Sequence, residues 1–169
     1  QKGVLFSGDI ASNIMFGNSH GSDDEMIEAA EIAQATEFID TKPEKYKSPI
    51  SQGGANVSGG QKQRLSIARA IAKHPDVYIF DDSFSALDYK TDAILRAELK
   101  EKTAESTVMI VAQRISTILH ADQIIVLEDG QIVGKGTHKE LLKNCEAYYQ
   151  IASSQLSEKE LEEDLKEVE

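Results

Sequence analysis

Hydrophobic residues recur at helical spacing in four stretches of this chain. The first two stretches each follow a capping box, Ser22 to Glu25 and Ser58 to Gln61, which is typical of a helix start. Pro75 is expected to end the second helix because proline disfavours the helical conformation of the residue before it. The pattern predicts helices over residues 23–36, from Ser58 to the break at His74-Pro75, over residues 89–102, and after Thr137.

Continuous apolar runs separate these helices and predict strands. Val77–Phe80, Thr107–Ala112 and Gln123–Leu127 have the composition of strands buried on both faces of a parallel sheet. A hairpin turn at Glu128-Asp129-Gly130 is expected to lead into residues 131–135, and residues 41–56 read as a loop, or a short helix and a loop. Strands that alternate with helices predict an α/β fold with a largely parallel sheet.

Length and composition narrow the protein class. The chain has 169 residues, of which 40% are apolar, so we expect one domain with a sizeable core and no membrane-spanning segment. A single cysteine, Cys145, excludes an internal disulfide and favours a reducing cytosolic setting. The net charge of −11 argues against general nucleic-acid binding. The acidic residues 155–169 predict a solvated terminal helix or a frayed tail.

The stretch from Val57 to Asp88 carries the candidate chemistry. Ser58, Gly59 and Gly60 precede a helix, where exposed N–H groups suit a phosphate, although a flexible turn with a helix cap explains them equally well. Asp81 ends a predicted buried strand, where open α/β sheets bind ligands and where Mg²⁺ finds carboxylates, although an isolated Asp at a strand end can also simply cap the next turn. Asp82 strengthens this interpretation because adjacent carboxylates repel each other without a compensating partner.

The four histidines do not share a metal-ligand spacing. His20, His74, His120 and His138 are therefore predicted to be surface or capping residues.

Several motifs, in a fixed order, resemble those of ATP-binding-cassette (ABC) ATPases of the exporter type. The resemblance covers about residues 1–152. The motifs are Gln1 with Val4–Gly8 (Q-loop), Val57–Arg64 (signature motif), Val77–Asp82 (Walker B strand), Ser85–Asp88 (D-loop), Ala112–Thr117 (the region of the switch histidine), and the following segment Asp122–Leu142.

The resemblance implies ATP and Mg²⁺ as cofactors and a sandwich of two cassettes around the nucleotides. Asp81 would hold Mg²⁺, and Gln1 would coordinate Mg²⁺ or the attacking water. Asp82 and Gln113 would occupy the catalytic positions of the general base and the switch residue. The nucleotide of the partner cassette would be contacted by Ser58, Gly59, Gly60 and Gln61, with Asp88 crossing the interface.

The resemblance also implies an organisation into four segments and a location. Residues 1–12 would be the Q-loop and the entry to a helical subdomain, and residues 13–60 that subdomain, ending in the signature motif. Residues 61–152 would be the C-terminal part of a RecA-like, P-loop NTPase-type core, and residues 153–169 an acidic helix or tail. A transmembrane domain, fused N-terminally, would hold the cassette at the cytoplasmic face of the cell membrane.

Three departures from the family pattern refine these expectations. The chain has no Gly-x-x-x-x-Gly-Lys-Ser/Thr phosphate loop and no adenine-stacking aromatic residue; both lie upstream in the family, so we expect a C-terminal fragment that binds ATP poorly alone. Asp82 replaces the glutamate base, and Gln113 replaces the switch histidine. Both exchanges together resemble the degenerate site of a heterodimeric exporter, while the signature motif is intact apart from Val57 for the usual Leu.

Two other classes remain as alternatives. An SMC-type chromosome-maintenance ATPase shares the signature and Walker B motifs, but it places a long coiled coil between the Q-loop and the signature. The short interval from Gln1 to Val57 has no sustained heptads, and the acidic charge disfavours DNA. A non-catalytic regulatory half, in which nucleotide only holds the dimer together, stays open because of Asp82 and Gln113.

Overall fold

The computed structural model describes residues 3–166, which fall into two units that meet between Val111 and Ala112. Each unit has a hydrophobic core of its own. The described residues therefore form two separately packed units, whereas the length led us to expect one domain. Gln1, a predicted site residue, lies outside the described residues.

The first unit combines helices with two small sheets. Its elements are β1 (Gly8–Asp9), α1 (Ile10–Ile14), α2 (Asp23–Ile32), α3 (Thr36–Asp40), β2 (Pro49–Ile50), α4 (Gly59–Ala72), β3 (Val77–Asp81), α5 (Tyr89–Lys102) and β4 (Thr107–Val111). β1 and β2 are antiparallel, whereas β3 and β4 are parallel, with Val77 opposite Thr107 and Asp81 opposite Val111. The expected loop over residues 41–56 is mostly turns and contains β2.

The second unit is built on a hairpin and short helices. Its elements are α6 (Ile115–Ile118), β5 (Ile124–Glu128), β6 (Gln131–Gly136), α7 (His138–Asn144), α8 (Glu146–Ser153) and α9 (Glu158–Lys166). β5 and β6 are antiparallel because the turn at Asp129-Gly130 reverses the chain, and a bulge interrupts their register at Val126 and Leu127. The predicted α/β class is confirmed. Among the described strands, β3 and β4 form a parallel pair and the other two pairs are antiparallel, so the largely parallel sheet that was expected is not found in residues 3–166.

The predicted helix over residues 23–36 was too long, because the chain turns at Gln34. Gln34 takes a left-handed conformation with φ of 55°. Its N–H donates to the carbonyl of Glu31, and the Ala35 N–H donates to the carbonyl of Ala30. This pattern is a Schellman ending, which usually places Gly at the left-handed position. Because position 34 is a glutamine and not a glycine, the end of this helix could not be recognised from the sequence.

The prediction that β3 is buried on both faces was wrong. Tyr78 and Phe80 are buried in the core of the first unit, but Val77 is 52% exposed and Ile79 67% exposed. Met109 and Val111 on β4 are exposed in the same way. Within the described residues of this unit, packing covers one face of the β3–β4 pair, so an apolar run did not distinguish one-sided from two-sided burial.

The prediction for His138 was also wrong. This residue begins α7 and is only 4% exposed. Its Nδ1 lies 2.7 Å from the Tyr148 hydroxyl and its Nε2 lies 3.1 Å from Oδ2 of Asp164 on α9. The acidic C-terminal segment forms this helix, whose Leu161 is buried in the core of the second unit. His138 therefore joins α8 and α9 inside the unit.

Candidate functional site

The signature-like stretch forms the start of α4 because its N-terminal cap is complete. The Ser58 hydroxyl accepts the Gln61 N–H at 3.2 Å, and the Gln61 side chain accepts the Ser58 N–H at 3.1 Å. Ser58 and Gly59 are exposed, and Gly60 is half-buried. The helix interpretation of this turn is confirmed. Its other N–H groups also give it the geometry for an anion, since the first turn of a helix lacks internal acceptors.

The two adjacent carboxylates lie at the carboxyl end of β3. Asp81 is the last residue of the strand, and Asp82 follows with a left-handed φ of 49°. Asp is among the few non-glycine residues that tolerate this conformation. The Asp82 N–H donates to the Val111 carbonyl at 3.0 Å, and the Ser85 hydroxyl donates to the Asp82 carbonyl at 3.1 Å. Backbone contacts on both sides therefore hold Asp82 in an uncommon conformation.

The environment of Asp81 fits a magnesium ion that is shared with a phosphate ligand. Asp81 and Ser83 line a cleft of about 200 Å³ together with Gln63 and Ser66 of α4. No cluster of three or more His, Cys, Asp or Glu that could hold a metal occurs within residues 3–166. Mg²⁺ does not need one, because it commonly takes one or two protein carboxylates and completes its shell with water and phosphate oxygens.

Asp88 has a structural role in addition to its predicted one. Its carboxylate caps α5 by accepting the Thr91 N–H at 3.0 Å and the Thr91 hydroxyl at 2.7 Å. These hydrogen bonds hold the pKa of Asp88 below its usual value. Asp88 is exposed, so a negative charge stands at the surface at the end of the D-loop-like segment.

The structure brings the signature-like turn against the D-loop-like segment. A Cβ built on Gly60 would lie 3.1 Å from the Ala86 carbonyl oxygen, and one on Gly59 would lie 3.8 Å from the Ala86 Cβ. Two groups of predicted site residues, distant in the sequence, are therefore neighbours: Ser58–Gln61 and the segment that ends at Asp88. Close backbone approach explains why glycine stands at position 60.

Gln63 is a residue of this site that the sequence analysis missed. Its Nε2 donates to the Asp82 carbonyl at 3.4 Å and to the Ser85 hydroxyl at 3.3 Å, and its Oε1 accepts the Ala86 N–H at 3.0 Å. Gln63 thereby ties α4 to the turn that follows Asp82. Its place inside the Val57–Arg64 motif was visible in the sequence, but its partners lie about 20 residues away and were not.

Gln113 belongs to the second unit. Its backbone carbonyl accepts a hydrogen bond from Nε2 of Gln155 at 2.9 Å, and Oε1 of Gln155 accepts the Ile115 N–H at 2.9 Å. Gln155 therefore fixes the backbone on both sides of the turn into α6. Gln113 itself is exposed and available to a ligand.

Comparison with known proteins explains this combination of motifs. The family model described as ABC transporter matches residues 4–85. The chain is 45% identical over 158 residues to an uncharacterized ABC transporter ATP-binding protein of Mycobacterium bovis, and 43% identical over 155 residues to a putative multidrug export ATP-binding/permease protein of Staphylococcus aureus. Both alignments cover 92% of the chain and 27% of the relative.

A solved structure agrees with these relatives. It is the structure of a bacterial Atm1-family ABC exporter with ATP bound, which superposes with a TM-score of 0.88 at 34% identity and covers 94% of this chain and 28% of that one. The chain is therefore similar to these ABC transporter proteins over most of its own length, and it spans about a quarter of the length of each of them.

Arg69 anchors the segment that follows the Q-loop-like position. Its guanidinium donates to the carbonyls of Val4 and Asn13 and to the Asn13 side chain, each at 2.8 Å. It also lies 4.9 Å from the ring centre of Phe6, which stacks on Phe16. Burial lowers the pKa of Arg69. The side chain thus joins α4 to α1 and to the Val4–Phe6 segment.

Arg64, the last residue of the signature-like stretch, anchors α4 on its other side. Its Nη1 donates to the Gln34 carbonyl at 2.7 Å, and its guanidinium lies 5.0 Å from the ring centre of Phe38. Arg64 thereby fastens α4 to the α2–α3 turn. Among residues 3–166, no helix is both long enough and apolar enough to cross a membrane.

Proposed function

We propose that the chain is part of the nucleotide-binding domain of an ABC exporter, in which ATP and Mg²⁺ bind between two cassettes and drive export through a transmembrane domain. The observation that carries the proposal is the joined pair of half-sites: the capped N-terminus of α4 and the carboxylates after β3 stand on one unit and are linked by Gln63. The relatives, described as ABC transporter ATP-binding and ATP-binding/permease proteins, support the same class.

Each half-site would have its own nucleotide. The N-terminus of α4, from Ser58 to Gln61, would contact the γ-phosphate and ribose of the ATP held by a partner cassette. Asp88 would extend across the same interface. Asp81 would face this chain's own nucleotide and hold Mg²⁺, mostly through water; the bound ion would neutralise charge on the phosphates. A partner of this kind accounts for polar groups that stand exposed rather than packed.

The chain's own site would hydrolyse ATP weakly. Asp82 would accept the proton of the attacking water, but its carboxylate is one methylene shorter than that of a glutamate, and a misplacement near 1 Å costs about 100-fold in rate. Gln113 would hydrogen-bond to the γ-phosphate without carrying charge or a proton. Gln1 would complete the contacts to Mg²⁺ or water. The partner's site, which this chain's signature motif completes, would then be the competent one.

A fused N-terminal transmembrane domain would place this domain at the cytoplasmic face of the cell membrane. This part of the proposal rests on the ATP-binding/permease relative, of which the chain spans 27%, and on the Atm1-family exporter, of which it spans 28%. The ATP-binding part would be a small share of such a protein.

The test compares two substitutions in the intact protein with its partner cassette. Ser58→Arg should reduce ATP turnover about 100-fold or more, because a bulky cation fills the position next to the phosphate. Asp82→Asn should reduce it by less than about 3-fold, because this site already contributes little; Asn also tolerates the left-handed backbone of Asp82, so folding is spared. The reverse ranking would reject the assignment.

A matched control distinguishes the effect of losing a helix cap from the effect of losing the proposed nucleotide contact. Ser22 caps α2 in the same unit with a capping box of the same type, its hydroxyl accepting the Glu25 N–H at 3.2 Å. Ser22→Arg loses an equivalent cap, which costs about 1 kcal/mol. If Ser58→Arg acts by disrupting the nucleotide contact rather than by removing a helix cap, the ATP turnover of Ser22→Arg should stay within about 2-fold of that of the unmodified protein.

The second candidate is a non-catalytic half that binds ATP only to hold the dimer together. Asp82 and Gln113 favour it, since neither matches the residue that the family uses for hydrolysis. Single-turnover hydrolysis in the intact pair, with the partner's base removed, separates the two. A slow but measurable single turnover supports a weak enzyme, and none at all supports a pure binder.

A further inference from the structure

The turn after β3 is fixed by two buried apolar side chains of its own and by one polar side chain of α4. Phe84 and Leu87 are buried in the core of the first unit, at 5% and 6% exposure. Ser85 and Ala86 lie between them and are exposed. The polar contacts from α4 to this turn come from Gln63, whose amide bonds to Asp82, Ser85 and Ala86.

These three bonds use both ends of the Gln63 amide. The NH₂ group donates to the Asp82 carbonyl and the Ser85 hydroxyl, and the oxygen accepts the Ala86 N–H. Only an amide offers donors and an acceptor in this arrangement. The Asp82 backbone is therefore held on two sides, by Gln63 at its carbonyl and by Val111 at its N–H.

Gln63 also stands close to the signature-like turn. It lies on α4 less than two turns after the Ser58 cap, in a continuous helix from Gly59 to Ala72. A helix moves as a rigid element over such a distance, so a shift of its N-terminus carries Gln63 with it. The close packing of Gly60 on the Ala86 carbonyl adds a second contact in the same place.

We propose that Gln63 is a positioning residue that couples the two half-sites, holding the Asp82–Ala86 turn to the signature helix so that α4 and the segment ending at Asp88 move together when nucleotide binds. This inference rests on the proposed function, because it needs a nucleotide at each end. Gln63 acts through the backbone of the Asp82–Ala86 turn, to which its side chain is hydrogen-bonded.

The experiment uses the intact protein with its partner cassette and three variants. Gln63→Leu keeps a good helix former at this position and removes all three hydrogen bonds. Gln63→Glu keeps the acceptor for the Ala86 N–H but cannot donate to the Asp82 carbonyl, so it separates the roles of the two ends of the amide. Gln150→Leu is the matched control, since Gln150 is exposed on α8 and its side chain donates a hydrogen bond to Glu146 on the same helix.

The readouts are kcat and KM for ATP, the thermal midpoint, and hydrogen exchange at the Ala86 amide. Gln63→Leu should lower kcat about 10-fold with KM within about 2-fold, and Ala86 should exchange about 10-fold faster. Gln63→Glu should keep the slow exchange at the Ala86 amide but lower kcat as Gln63→Leu does, because the bond to the Asp82 carbonyl is lost, and Gln150→Leu should change nothing. An unchanged kcat in Gln63→Leu would overturn the proposal, as would a loss of kcat that is fully accounted for by a lowered thermal midpoint.

Failure of the inference is separable from failure of the proposed function. If the unmodified protein and its partner hydrolyse no ATP, the proposed function fails. Exchange at the Ala86 amide still reports whether Gln63 holds the turn, and unchanged exchange in Gln63→Leu would remove the physical basis of the coupling.

Discussion

Gly60→Ala tests the packing of the signature-like turn on the D-loop-like segment. Alanine in a helix is more favourable than glycine by about 0.5–1 kcal/mol, because glycine loses more backbone entropy. The new methyl group at position 60 would lie 3.1 Å from the Ala86 carbonyl oxygen, whereas ordinary contacts begin at 3.4 Å. The turn would have to move by a few tenths of an ångström, although the hydrogen bonds of Gln63 fix it in place. This strain should offset the gain in helix stability from alanine.

Gly59→Ala is the built-in comparison, because it adds the same methyl one residue earlier on the same helix. Its nearest neighbour would be the Ala86 Cβ at 3.8 Å, an ordinary contact. Gly59→Ala should therefore stabilise the protein by up to about 1 kcal/mol, and Gly60→Ala should give no gain or a loss. For a protein of this size the difference is about 2–4 °C in thermal midpoint.

The assay is thermal and denaturant unfolding of both variants, followed by circular dichroism. Denaturant midpoints measured at constant slope report stability rather than a change in the unfolded state. If Gly60→Ala stabilises the protein as much as Gly59→Ala does, the turn is not in close contact with α4. The explanation given for glycine at position 60 would then be wrong.

Three further predictions concern the core, the second unit and the proposed base. Leu65→Ala, on the fully buried face of α4, should cost about 3–5 kcal/mol in the free energy of unfolding, and a loss below 1 kcal/mol would contradict its burial. Burial and the nearby Asp164 carboxylate raise the pKa of Tyr148 to about 12. Because the folded pKa exceeds the unfolded value near 10, about 3 kcal/mol of stability should be present below pH 10 and vanish between pH 10 and 12. Tyr148→Phe should abolish that alkaline dependence in denaturant midpoints, and a persisting dependence would assign it elsewhere. Asp82→Glu should raise single-turnover hydrolysis about 10-fold when the partner's base is removed, and no rise would argue against Asp82 as the base position.

Helices whose signals are local were predicted well. The helix over residues 89–102 is observed with the same bounds, and α4 begins at the predicted Ser58 cap. Both are specified by a capping side chain and a spacing of apolar residues within a few positions. The helix over residues 23–36 was predicted with the right start, but its end at Ile32 was missed because the left-handed residue after it is Gln34 rather than the usual glycine.

The sequence also named most of the candidate site without showing how its parts meet. Ser58 and Asp81 were found because each lies in a motif whose chemistry follows from residue type. Their roles toward ATP and Mg²⁺ remain predictions. Gln63 was not found, because an amide side chain on a helix carries no sign of which backbone it will meet.

The sequence by itself determined the α/β class, the capped helices and the resemblance to ABC ATPases, because these depend on residue types and on spacings of a few positions. Only the tertiary structure decided which face of β3 is covered, that His138 is buried between Tyr148 and Asp164, and that Gln63 holds the turn after Asp82. These features join residues that are 10 to 26 positions apart in the chain. Contacts of that range depend on how whole elements pack, and no local pattern encodes it.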